Sequence, residues 1–214
     1  TGFEHVFEQA MPVNSWGKHF VVTSTYPCLG LQSDLVKFTA LQDETTVQMS
    51  YGTRRTYQLN SGESASFWMD LTEQPCAYLE SDKPMAVYLY NHSHKSNNSG
   101  SNYGDPSMVW ISPVEQNLEE VTFSTFQTGY DSGDTIVRHF VNIVCRSDAQ
   151  ALLLDGVDIV DALEPVSAAP EYAYVRVDTL RHGAHNIVCR GGFTAHVYDV
   201  GKNKGYAYTV GSSA

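Results

Sequence analysis

A two-residue rhythm constrains this chain more than any other feature. In Leu35-Val36-Lys37-Phe38-Thr39-Ala40 and Thr45-Thr46-Val47-Gln48-Met49, buried-type and exposed-type side chains take turns. Strand residues point alternately to opposite faces, so this is the pattern of a half-buried strand. Arg55-Thr56-Tyr57-Gln58-Leu59 and Tyr172-Ala173-Tyr174-Val175-Arg176-Val177 repeat it. Turn residues close each run: Gln42-Asp43-Glu44, Asn60-Ser61-Gly62-Glu63, Ser81-Asp82-Lys83-Pro84, Asp155-Gly156. Short strands spaced roughly 8–12 residues apart build sandwiches or barrels. The 13 tyrosines suit a pleated surface, and good helix formers do not cluster. The fold class expected is all-β.

The pattern comes twice. Lys37-Phe38-Thr39-Ala40 matches His139-Phe140-Val141-Asn142, and Pro84 to Tyr90 matches Gly192 to Tyr198, while Phe20 falls near Val121. The second half carries an insertion around Asp158 to Pro170. Repetition at a fixed offset marks stacked units. We expect two tandem β-sandwich units, jelly-roll-like or immunoglobulin-like, related as a diverged duplication. One long distorted sandwich is the other reading. The first unit spans 1–104 and the second 105–214, joined through 104–116. Here Gly104-Asp105-Pro106-Ser107 is a strong turn signal, and Met108 to Ile111 should be buried between or within the units. Val157 to Leu163 reads as a helical turn or an edge strand.

The chain has 214 residues and a net charge of −11, spread over both halves. A nucleic-acid partner would want a basic stripe, so none is expected. No apolar run approaches the roughly 20 residues of a membrane span. The sequence starts at Thr1 without a leader-like stretch, as a mature or excised piece would.

Candidate chemistry is sparse. Asp105 is a candidate ligand contact, against the plainer role of holding its turn. Asp131 and Asp134 place two carboxylates in a loop and are candidate calcium ligands, although calcium takes 6–8 oxygens; no other cofactor is expected. His92 and His94 could share a strand face but have no evident third metal ligand. Cys145 with Cys189, and Cys28 with Cys76, are disulfide candidates, with buried thiols as the alternative. No Gly-x-Ser-x-Gly elbow appears, and no catalytic residue is assigned. Tyr51, Tyr103 and Tyr130 lie in loop-like contexts and are candidate binding aromatics, since tyrosine is favoured at binding hot spots. Trp16, Trp68 and Trp110 could stack sugars if exposed.

Several pieces together resemble the IgGFc-binding protein N-terminal domain family: Trp16-Gly17-Lys18-x-Phe20, Gly104-Asp105-Pro106-Ser107-Met108, Ile111-x-Pro113-x-x-Gln116, His139-Phe140-Val141-Asn142, Leu154-Asp155-Gly156, Gly192-Phe193-x-Ala195-x-Val197-Tyr198 and Tyr206-x-Tyr208-x-x-Gly211. They run from about Met11 to Gly211. The resemblance implies a secreted or surface-displayed adhesion or binding module, not an enzyme, with a protein or glycan ligand. It carries over no binding residues. A carbohydrate-active unit, either a sugar-binding domain or a glycosidase, is the alternative from another class.

Overall fold

The computed structural model describes residues 6–27, 33–91, 105–126, 136–201 and 205–211. Two antiparallel sheets carry nearly all of its regular structure, one seven-stranded and one eight-stranded. The first contains β1 (Gly17–Thr23), β2 (Ser33–Ala40), β3 (Thr45–Tyr51), β4 (Thr53–Leu59), β5 (Ser64–Asp70), β6 (Cys76–Asn91) and β7 (Ser107–Ile111). The second contains β8 (Leu118–Thr125), β9 (Ile136–Arg146), β10 (Leu153–Leu154), β11 (Val157–Asp158), β12 (Glu164–Pro165), β13 (Tyr172–Leu180), β14 (Gly183–Gly201) and β15 (Ala207–Thr209).

One long strand organises each sheet. The first part of β6 pairs with β1 and β3, and its second part with β2 and β7. In the same way, β14 pairs first with β8 and β10, then with β9 and β15. At the outer positions β4 pairs with β3 as β11 does with β10, and β5 pairs with β2 as β13 does with β9. Among the described strands, only β12, from the inserted segment, lacks a counterpart. Each sheet curls around its own core. Phe20, Val36, Phe38, Val47, Leu79 and Leu89 fill the first, and Val141, Ile143, Leu152, Ile187, Phe193 and Val197 the second.

The ladder registers fix the equivalence residue by residue. Leu79 faces Phe20 and Met49, while Ile187 faces Val121 and Leu154. Past the bend, Met85 pairs with Gly17 and Ala40, and Phe193 with Leu118 and Cys145. The sequence matches of Phe20 with Val121 and of Pro84–Tyr90 with Gly192–Tyr198 therefore hold. The match of Lys37–Ala40 with His139–Asn142 is three residues out, because Lys37–Ala40 is equivalent to Asn142–Cys145. An odd slip exchanges the two faces of a strand. Phe140 accordingly leaves the core and faces the other unit.

The division at residue 104 also moves. Ser107–Ile111 completes the first sheet by pairing with β6, so the chain changes sheets between Ile111 and Leu118. Val109 and Ile111 enter the first core, Trp110 is buried, and Met108 is half-buried. The stretch Val157 to Leu163 is both things expected of it, a short strand and then a 3-10 turn at Val160–Ala162.

Candidate functional site

The recognisable sequence motifs meet at the junction. Pro113 sits so close over Gly17 that a Cβ there would lie 2.3 Å from its ring carbon. Glu115 Oε1 accepts from the Lys18 and His19 backbone N–H groups at 3.0 Å each, and His19 Nδ1 lies 2.8 Å from it. Asn117 packs on Gly192 in the same way, where a Cβ would lie 2.2 Å from its Oδ1. These motifs set how the second sheet leaves the first.

Beside them runs a seam between the units. Val21, Tyr78 and Val114 pack against Val144, Val166, Ala169 and Tyr174. Asn142 Nδ2 donates to Ser24 O at 2.8 Å and Thr23 Oγ1 at 3.0 Å, and its Oδ1 accepts from the Tyr198 hydroxyl at 3.0 Å. That hydroxyl also accepts from Tyr26 N–H at 2.7 Å. Arg176 Nη1 donates to the carbonyls of Leu71 at 2.9 Å and Thr25 at 3.1 Å, and its guanidinium lies over the Tyr26 ring at 5.7 Å. Such buried polar groups need all their partners, which makes the seam specific.

A cleft of about 940 Å3 opens along this seam. One wall comes from the first unit: the β3–β4 turn with Tyr51, Gly52 and Arg54, the segment Thr72 to Cys76, and Tyr78. The other is Glu164 to Ala168 with Tyr174 and Arg176. The volume lies within the range of small-ligand sites. Gly52 adopts φ +63° and leaves room for Gln74, whose Oε1 would lie 2.6 Å from an added Cβ. Asp70 caps the neighbouring turn, accepting from Thr72 N–H at 2.7 Å and Glu73 N–H at 2.8 Å. Those bonds hold its carboxyl below the usual range. Tyr51 accepts from Asp70 N–H at 2.5 Å, and Tyr174 donates to Glu164 Oε2 at 2.9 Å. Burial raises the phenols of Tyr51, Tyr78 and Tyr174, so all three stay protonated. It pushes the Cys76 thiol up to about 12, far from a nucleophile's range. The cleft thus offers hydroxyl, carboxylate, amide and guanidinium groups around tyrosine rings, a hydrogen-bonding and stacking surface.

Of the expected site residues, Tyr51 lines this cleft. Asp105 does not. It leads into β7, and its charge, after burial, helps push the Asp199 carboxyl up to about 8. Tyr103, Tyr130, Asp131, Asp134, His92, His94 and Cys28 lie outside the described residues. Among the described residues, no three His, Cys, Asp or Glu side chains form a metal-sized group. Cys76, Cys145 and Cys189 are thiols. Of the tryptophans, Trp110 is buried, Trp16 donates its indole N–H to Met11 O at 3.1 Å, and Trp68 is exposed on β5. Sequence reasoning missed Arg54, Gln74, Glu164 and Arg176. The basic pair Arg54-Arg55 in an acidic chain, and an insertion present in one half only, were the available signals.

The fold and the cleft define an all-β module of two like units with a polar groove between them. The chain belongs to the IgGFc binding protein family, whose model matches residues 1–198. This is a family named for binding. No curated protein matches the sequence. Among solved structures, the Pleurotus ostreatus lectin in its apo form is similar at 11% identity and a TM-score of 0.25, covering 92% of this chain and 73% of the lectin. The lectin in complex with GalNAc gives 13% and 0.24, covering 92% and 76%. An anti-sigma factor domain-containing protein gives 8% and 0.26, covering 84% and 77%. Likeness at this level carries no argument about the chain. Among the described residues, no helix is long and apolar enough to cross a membrane.

Proposed function

We propose that this chain is a non-catalytic recognition module of a secreted or surface-displayed protein, and that it grips a protein or glycoprotein ligand in the cleft between its units. One observation carries the reading: both units supply polar and tyrosine side chains to a single groove at their seam. Convergent polar groups around aromatic rings are the usual make-up of a recognition site. Membership of a binding family supports it. The proposal calls for no cofactor, no nucleic acid and no membrane insertion.

The test is a binding panel on the full chain, with immunoglobulin Fc, mucin glycoprotein and enzymatically deglycosylated mucin as probes. Saturable binding to at least one probe is expected. Replacing Arg54 or Gln74 with Ala should weaken it about tenfold, the size of one lost hydrogen bond to a charged or polar group. Binding that ignores both changes would remove the cleft from the proposal.

A second reading, glycoside hydrolysis, draws on Glu73 and Glu164, which stand on opposite walls. Such chemistry uses two carboxyl groups about 5–9.5 Å apart. Release of reducing sugar that Glu73→Gln and Glu164→Gln each abolish would favour it over pure recognition.

A further inference from the structure

Cys145 and Cys189 stand side by side in the second core. Cys145 faces Phe193 across the β9–β14 ladder, and Cys189 lies four residues earlier on β14, beyond the Gly191-Gly192 kink. Both are buried in one cluster, and each thiol perturbs the other's titration, as neighbouring groups do. The first unit provides an internal comparison. The register that makes Phe193 equivalent to Met85 makes Cys145 equivalent to Ala40 and Cys189 to Ser81. The fold therefore closes this corner without sulfur in one unit, and the thiol pair is an addition in the other.

We infer that Cys145 and Cys189 are a disulfide-forming pair that staples β9 to the kinked strand β14 when the chain meets a disulfide oxidant. One cysteine thiolate attacks the oxidant's disulfide and displaces its first thiol. The second cysteine then attacks the mixed disulfide and displaces the other. The two cysteines lose two protons and two electrons, and the oxidant gains both as two thiols. The residues that follow them, Arg146 and Arg190, both line a second pocket of about 500 Å3. The staple would fix the spacing of these two arginines.

The full chain would be equilibrated with oxidised glutathione, in buffer and in sub-denaturing urea so that burial does not hide the sulfurs. Free thiols are then blocked with N-ethylmaleimide and the protein is digested without reductant. A cross-linked peptide joining Cys145 and Cys189 is expected. The double variant Cys145→Ala, Cys189→Ser reproduces the first unit's pair and so keeps the fold. Reductant should lower the Tm of the oxidised wild type by roughly 8–16 °C, from a closed loop of about 45 residues, and leave the double variant unchanged. Maleimide on both sulfurs after oxidation, or equal Tm shifts in the two proteins, would overturn the inference.

Discussion

Truncating Asn142 to Ala should uncouple the two units. Its side chain is 1% exposed and fills one row of the seam, donating to Ser24 O and Thr23 Oγ1 and accepting from Tyr198. Alanine leaves the buried Ser24 carbonyl without this donor and removes the acceptor for Tyr198. A stranded buried carbonyl costs about 1–3 kcal/mol and an ordinary lost hydrogen bond about 0.5–1.5 kcal/mol, so the change should cost about 1.5–4.5 kcal/mol. The assay is urea unfolding with two probes. All three tryptophans lie in the first unit, so their fluorescence follows that unit, while far-ultraviolet circular dichroism follows both. In the wild type the two transitions should coincide, as in any cooperative unit. In Asn142→Ala they should separate, because the seam no longer ties one unit's stability to the other's. A double-mutant cycle with Tyr198→Phe should show coupling of about 0.5–3 kcal/mol. A cost below about 0.5 kcal/mol, the range of an ordinary surface substitution, with coincident transitions kept, would refute the reasoning.

Three further outcomes follow from the same geometry. Burial, with a smaller contribution from Asp105, pushes Asp199 up to about 8, so the folded chain holds a proton there that the unfolded chain releases near pH ~4. The contribution of Asp199 to stability should fall as pH rises from about 4 through about 8, and Asp199→Asn should remove that contribution from a Tm-against-pH profile; an unchanged slope would count against it. Burial holds His196 down at about 4 and its Nε2 has no hydrogen-bond partner among the described residues, whereas the unfolded side chain protonates near pH ~6.5. The contribution of His196 is therefore lost as pH falls below that value, opposing that of Asp199 between about pH 4 and 6.5, and His196→Gln should remove this loss in the same profile. Gly52→Ala forces a left-handed residue against the Gln74 amide and should cost about 1–2 kcal/mol in a urea midpoint; a neutral result would mean that the turn is free to relax.

How much of this was legible in the sequence depends on which side chains alternate in a strand. Runs such as Thr45–Met49 declare one buried face, and that sufficed for the all-β class and for most strands. The equivalence of Pro84–Tyr90 with Gly192–Tyr198 was readable because these are long central segments with both neighbours paired. The slip at Lys37–Ala40 was not. In β9 both faces are apolar, since Phe140 and Val144 face the seam while Val141 and Ile143 face the core, and period-two alternation vanishes when both sides are buried. Burial of Met108 to Ile111 was legible from their apolar run, but Ser107–Ile111 went to the wrong unit because an edge strand gives no hint of its partner. Of the cleft, only Tyr51 was named as a binding residue, and Cys76 only as a disulfide candidate. Its other walls come from a turn, a capped loop and an insertion brought together only by the seam, and residues about 100 positions apart share no local pattern.

The central claim is that ligand binds between the units. Hydrogen–deuterium exchange on the full chain, with and without whichever panel probe binds, tests it most directly. The account predicts new protection in 50–54, 72–76 and 164–168, on both walls at once, with the far edges of each sheet unchanged. Protection confined to one unit, or to surfaces away from the seam, would contradict it.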